Sequence, residues 1–97
     1  MSKIDTVRKI LIKHKHELRR KYHVKEIGIF GSYVHGEQKK KSDIDILVDF
    51  IKVPGFFKFI ELEDYLSNIL GVKTDLVMKD VLRPHIGQHI LNEVIYI

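Results

Sequence analysis

An α/β sandwich is the fold class that the sequence predicts. Three observations carry it. Segments of helical and strand period alternate along the chain, and the first strand is apolar on both faces, as an interior strand must be. Gly31, Pro54-Gly55 and Gly71 break the chain between segments. The 97 residues suit one compact domain, 1–97, without an internal repeat or a linker.

The first element is a helix over residues 3–21, where Ile4, Val7, Leu11, His14 and Leu18 recur at spacings of three and four. Ser2 and Asp5 resemble a capping box at its start, with Asp in place of the usual Glu or Gln. Residues 24–30 form the first strand, which ends at Gly31. Ser32 is expected to cap a helix of one or two turns through about residue 37, followed by a lysine-rich loop over 37–42. Residues 43–50 make the second strand. After Pro54-Gly55, a helical stripe of Phe56, Phe59, Ile60, Leu62, Leu66, Ile69 and Leu70 ends at Gly71, suited to the left-handed C′ position. Residues 72–78 make a third strand carrying Asp75. Pro84 suits the first turn of a last helix containing Ile86, Ile90 and Leu91, and residues 94–97 suit a short edge strand.

Composition narrows the function classes. The chain is 44% hydrophobic and 31% charged, with no cysteine, which excludes disulfides, iron–sulfur clusters and thiolate zinc sites. No apolar stretch approaches the roughly 20 residues that cross a bilayer, and no signal-type apolar run follows the basic N-terminus. A cytoplasmic protein with no membrane partner is expected. The net charge of +4 is unevenly spread: residues 1–25 hold nine Lys/Arg against two acids, and the rest hold eight against eleven. Such a helix can steer an anionic partner, and a solvated face explains it equally well.

The chemistry centres on Ser42-Asp43-Ile44-Asp45. Alternate strand residues share a face, so Asp43 and Asp45 project together while Ile44, Ile46 and Val48 face the core. Adjacent carboxylates repel one another unless a cation neutralises them. Mg²⁺ prefers oxygen ligands and binds carboxylates together with substrate phosphates; two such ions about 3.5–4 Å apart serve in-line displacement. Asp75 completes the set if its strand neighbours the second. Upstream, Gly31 ends a strand and Ser32 starts a helix, a junction whose N–H groups and hydroxyl suit phosphate. Gly36, one turn beyond Ser32, would let the backbone pass close to phosphate or to the sheet.

Gly31-Ser32, Gly36-Glu37, Ser42-Asp43-Ile44-Asp45 and the later Asp75 together resemble the nucleotidyltransferase signature of the DNA polymerase β superfamily. The length resembles that of its minimal nucleotidyltransferases, the MNT proteins, and the likeness runs from the first helix through Leu82-Arg83-Pro84. It implies a small nucleotidyltransferase fold, a mixed sheet of three to four strands packed with about four helices. It also implies that Asp43, Asp45 and Asp75 are the catalytic carboxylates and metal ligands for Mg²⁺ or Mn²⁺. Asp75 would assist deprotonation of the acceptor, and Gly31 and Ser32 would bind the nucleotide triphosphate. Similar proteins are antitoxins of HEPN-family toxins, and some transfer AMP from ATP to a tyrosine of that partner. The same activity and partner are the expectation here. One departure stands out: many relatives have an arginine shortly after the Gly-Ser pair, where this chain has Tyr33-Val34-His35. Lys39, Lys40 and Lys41 are the nearest substitutes, as point charges without the bidentate geometry of arginine.

Other features have plainer readings. Asp49 shares the odd-numbered face but lies about 13 Å from Asp45 along an extended strand, and suits a solvated or salt-bridged strand end. His85 and His89 are one helical turn apart without a third ligand, and His35 suits an exposed loop. Phe56, Phe57 and Phe59 suit core and partner contacts, with Phe57 and Tyr65 exposed on an interface. The alternative function is a non-catalytic antitoxin that neutralises its partner by binding. A nucleic-acid partner is disfavoured, since no recognised binding motif accompanies the basic helix.

Overall fold

The computed structural model describes residues 3–36, 42–82 and 87–97, with the side chains of 82–89 excluded. Ser2, the segment 37–41 with its lysines, residues 83–86, and the side chains of His85 and His89 therefore lie outside the described residues. The chain runs α1 (Lys3–Tyr22), β1 (Val24–Phe30), α2 (Ser32–His35), β2 (Ile44–Phe50), α3 (Phe56–Leu70), β3 (Thr74–Met78), α4 (Lys79–Leu82), α5 (Gly87–Glu93) and β4 (Ile95–Tyr96).

The four strands form one mixed sheet in the order β3-β2-β1-β4. β1 pairs antiparallel with β2 and β4, whereas β2 and β3 are parallel and joined by the α3 crossover. A crossover is what parallel neighbours require, because a tight turn can link only antiparallel strands. β1 is interior, as its two-sided apolar character predicts.

One sheet face carries the core. Ile27, Ile29, Ile44, Ile46, Val48 and Leu76 meet Val7, Leu11, Leu18 and Tyr22 of α1 and Leu62 and Leu66 of α3. Tyr65 stands between the two helices: its hydroxyl donates to Glu17 at 3.2 Å and its ring meets His14 and Tyr22. This corrects the expectation of an exposed Tyr65, since burial against α1 outweighs the polar tip once that tip has a partner. Phe57 is exposed, as expected. Phe56 is 72% exposed and Ile60 38% exposed, so the first turn of α3 runs past the edge of the core that the stripe predicted.

The opposite face carries Gly28, Leu47, Asp45 and Tyr96. A Cβ at Gly28 would collide with Val94 and crowd the Ile95 carbonyl and Tyr96 ring, so this glycine is what lets the C-terminal segment lie close. Two strand starts and one helix differ from expectation. β2 begins at Ile44, one residue beyond Asp43. β3 begins at Thr74, because Gly71 at φ 69° turns the chain and delays entry into the sheet. α4 (Lys79–Leu82) is an additional helix, which makes five among the described residues.

Candidate active site

β1, β2 and β3 bring the predicted residues to one end of the sheet. In the parallel β2–β3 ladder Asp45 is paired with Asp75, and in the antiparallel β1–β2 ladder it is paired with Phe30, the residue before Gly31. Register partners point to the same face, so Asp45 and Asp75 stand side by side, and strand alternation adds Asp43. Asp45 lies at the centre and is partly buried; Asp43 and Asp75 are exposed.

The carboxyl of Asp45 is pushed above its ordinary range, first by burial, then by the charge of Asp75 and then by that of Asp43. Three acids in one field is an arrangement that a hard cation relieves and that oxygen chemistry suits. Among the described residues no group of three His, Cys, Asp or Glu side chains is gathered closely enough to enclose a metal ion. The oxygen donors are of the kind a hard divalent ion takes, which makes Asp43, Asp45 and Asp75 the candidate ligands.

Gly31 lies beside this cluster. It occupies φ 76° and ψ −148°, a region open in practice only to glycine, and a Cβ there would run into the Asp45 carboxylate. That backbone also corrects the expected capping. Gly31 itself is the N-cap of α2, its carbonyl accepts from Val34 at 3.0 Å, and Ser32 is the first helical residue with no side-chain cap bond. A serine at the cap would bear the strain that glycine avoids. Gly36 closes α2 in the left-handed conformation at φ 68°.

The residues in the arginine position serve other ends. Tyr33 is buried in the core, and His35 Nε2 lies 3.0 Å from Glu93 at the end of α5, so His35 is exposed yet engaged. Asp49 accepts the amide of Phe50 at 3.1 Å and pairs in register with Glu26, consistent with a strand-end role.

Sequence reasoning missed Lys73, whose Nζ lies 4.0 Å from Asp43 at the mouth of the site. It also missed two α3 side chains beneath Asp75. Ser67 Oγ accepts the Thr74 amide at 2.9 Å, and Glu63 Oε2 accepts the Leu76 amide at 2.9 Å. The signal for Lys73 was its place two residues before Asp75, matching Asp43 before Asp45. For Glu63 and Ser67 the only signal was their spacing of four on a helix.

The fold is that of a nucleotidyltransferase, and the chain belongs to that family: the nucleotidyltransferase domain model matches residues 11–97. Among individual relatives it is similar to protein adenylyltransferase MntA of Thermococcus cleftensis, at 52% identity over 97 residues covering 100% of this chain and 98% of the relative. A solved minimal nucleotidyltransferase superposes with a TM-score of 0.77 at 26% identity, covering 98% of this chain and 95% of the other. The fold is shared, at TM-score 0.63 and 24% identity, with a chain of the complex between tri-AMPylated Shewanella oneidensis HEPN toxin and MNT antitoxin; 93% of this chain and 70% of that one are covered.

Proposed function

We propose that this protein transfers AMP from ATP to a tyrosine hydroxyl of a HEPN-type toxin, in a reaction dependent on Mg²⁺ or Mn²⁺, and thereby acts as its antitoxin. The observation that carries the reading is the Asp45–Asp75 register, with Asp43 two residues before and Gly31 alongside. The named activity of the relative MntA and the fold shared with an MNT–HEPN complex support the choice of nucleotide and partner.

In this reaction the acceptor oxygen attacks the α-phosphorus of ATP, the bond to the β,γ-pyrophosphate breaks, and pyrophosphate leaves as the phosphodiester to AMP forms. Asp75 takes the hydroxyl proton. It lies on the outermost strand and is exposed, which leaves room for the acceptor side chain of a folded protein. Gly31 and Ser32 hold the triphosphate through backbone N–H groups and the Ser32 hydroxyl, and Asp43 and Asp45, anionic like the phosphates, would serve there as ligands of a divalent ion. Bound divalent ions, held by Asp43, Asp45 and Asp75, would supply charge neutralisation at the phosphates and lower the acceptor's proton affinity.

Incubation with the protein encoded beside it, ATP and Mg²⁺ is expected to add one or more AMP units to that partner by intact mass. Labelling that persists undiminished in the D43N/D45N double variant would refute the reading. A specific observation favours the second reading, a non-catalytic antitoxin: α2 offers the triphosphate no arginine, with Tyr33 buried and His35 engaged. Inhibition of the toxin at one-to-one stoichiometry by the double variant without nucleotide would establish that role instead.

A further inference from the structure

Asp75 stands on β3, one of the two edge strands of the sheet, and the backbone of an edge strand is anchored on one side only. Its inner edge pairs with β2, beginning with the Ile44 amide donating to the Lys73 carbonyl at 2.9 Å. The amides of Thr74 and Leu76, on either side of Asp75, point the other way, towards α3. Both are taken by side chains of that helix, Thr74 by Ser67 Oγ and Leu76 by Glu63 Oε2, each at 2.9 Å. Ser67 Oγ donates in turn to the Glu63 carbonyl at 2.9 Å, which fixes the hydroxyl with a lone pair towards Thr74.

The geometry of the two elements matches. Four residues of helix rise about 6 Å, and two residues of strand advance about 6.6 Å. A Glu and a Ser one turn apart therefore meet two successive outward amides of an antiparallel-running strand with no distortion of either. The carboxylate bond is charge-assisted, about twice as strong as a neutral one. Covering an edge against aggregation needs only a helix or a charge. Here the bonds fall on the two amides that bracket the acid paired with Asp45.

We propose that Glu63 and Ser67 are positioning residues for Asp75: they clamp the backbone on both sides of it so that its carboxylate is held opposite Asp45. The proposal rests on the reading of Asp43, Asp45 and Asp75 as the transferase acids. A displacement of about 1 Å at a reacting group costs up to about a hundredfold in rate, so a loosened edge strand is expected to be visible in turnover.

The test uses the full chain as wild type, E63A, E63Q and S67A, with the partner protein and ATP. Amide hydrogen exchange is expected to rise about tenfold at Leu76 in E63A and at Thr74 in S67A. kcat is expected to fall about tenfold in E63A with KM for ATP within about twofold of wild type, and E63Q, which keeps an acceptor oxygen, is expected to recover most of it. S67A, the milder change, keeps the test available if E63A unfolds. Faster exchange at these amides with wild-type kcat would overturn the proposal, as would no change in exchange. If the wild type transfers no AMP, the functional reading fails, yet the clamp is still decided by Mn²⁺ alone. Its paramagnetic broadening of Asp45 and Asp75 resonances is expected to require about tenfold more Mn²⁺ in E63A, and an unchanged requirement overturns the clamp.

Discussion

Burial, the charge of Asp75 and the charge of Asp43 act in the same direction on Asp45, each favouring its protonated form. The folded state thus holds that proton more tightly than the unfolded chain, and the ionised carboxylate costs stability at neutral pH. That cost is relieved as pH falls through the raised folded-state value towards the ordinary 3.8 of the unfolded chain. D45N is therefore expected to raise Tm of the metal-free protein by on the order of a few degrees at pH 7, with the difference closing in acid, while abolishing transfer. Thermal melts across pH would expose an error as a D45N variant that melts lower at neutral pH. Gly31 gives the opposite sign: G31A strains the backbone and meets the Asp45 carboxylate, so a loss of about 2–3 kcal/mol is expected in urea titrations. Lys73 and Asp43 are both substantially exposed, and their pair contributes little to stability. K73A is expected to leave stability within about 0.5 kcal/mol and to raise KM for ATP several-fold, through loss of a cation at the mouth of the site. An unchanged KM would remove Lys73 from phosphate binding. At this scale the Asp43/Asp45 pair was legible because a period of two needs no knowledge of neighbours. Lys73 showed only its spacing from Asp75, and Glu63 and Ser67 were not legible, because their roles exist only once α3 packs beside β3.

At the scale of elements, α1 and α3 follow their apolar periods closely, and α3 ends at Gly71 with its N–H donating to the Ser67 carbonyl at 3.0 Å, as the left-handed cap predicts. α4 escaped notice because four residues are too few to show a helical period. Ser32 was misread as a cap because the preference of serine for that position yields, at Gly31, to a conformation only glycine tolerates. Within β3, Thr74 is 2% exposed and its Oγ1 has no hydrogen-bond partner among the described residues. A buried hydroxyl without a partner costs about 1–3 kcal/mol. Replacement by the isosteric T74V is expected to stabilise the protein by about 1 kcal/mol, and chemical denaturation showing a loss instead would mean the hydroxyl is satisfied. Between α1 and α3, Y65F removes the bond to Glu17 but keeps the ring, so a loss of about 1 kcal/mol or less is expected by the same measurement.

For the whole molecule, the sequence identified the strands but not their order. Asp75 could join Asp43 and Asp45 only if β3 lay beside β2, and the α3 crossover, which packs Leu62 and Leu66 on the sheet, is what puts it there. The result separates two jobs: one sheet face packs against α1 and α3, and the other, at the end where β1 finishes and β2 and β3 begin, presents the acids. Exposed Ile51, Val53, Phe56 and Phe57 belong to the far end of β2 and the start of α3, away from that cluster. No helix among the described residues is long and apolar enough to cross a membrane. By the proposed function, the Asp43, Asp45 and Asp75 cluster moves AMP onto a partner protein. Intact mass spectrometry of the partner after incubation with ATP and Mg²⁺ tests it most directly. AMP addition is expected with the wild type and none with D43N, D45N or D75N; undiminished addition by those variants would refute the role of the three acids.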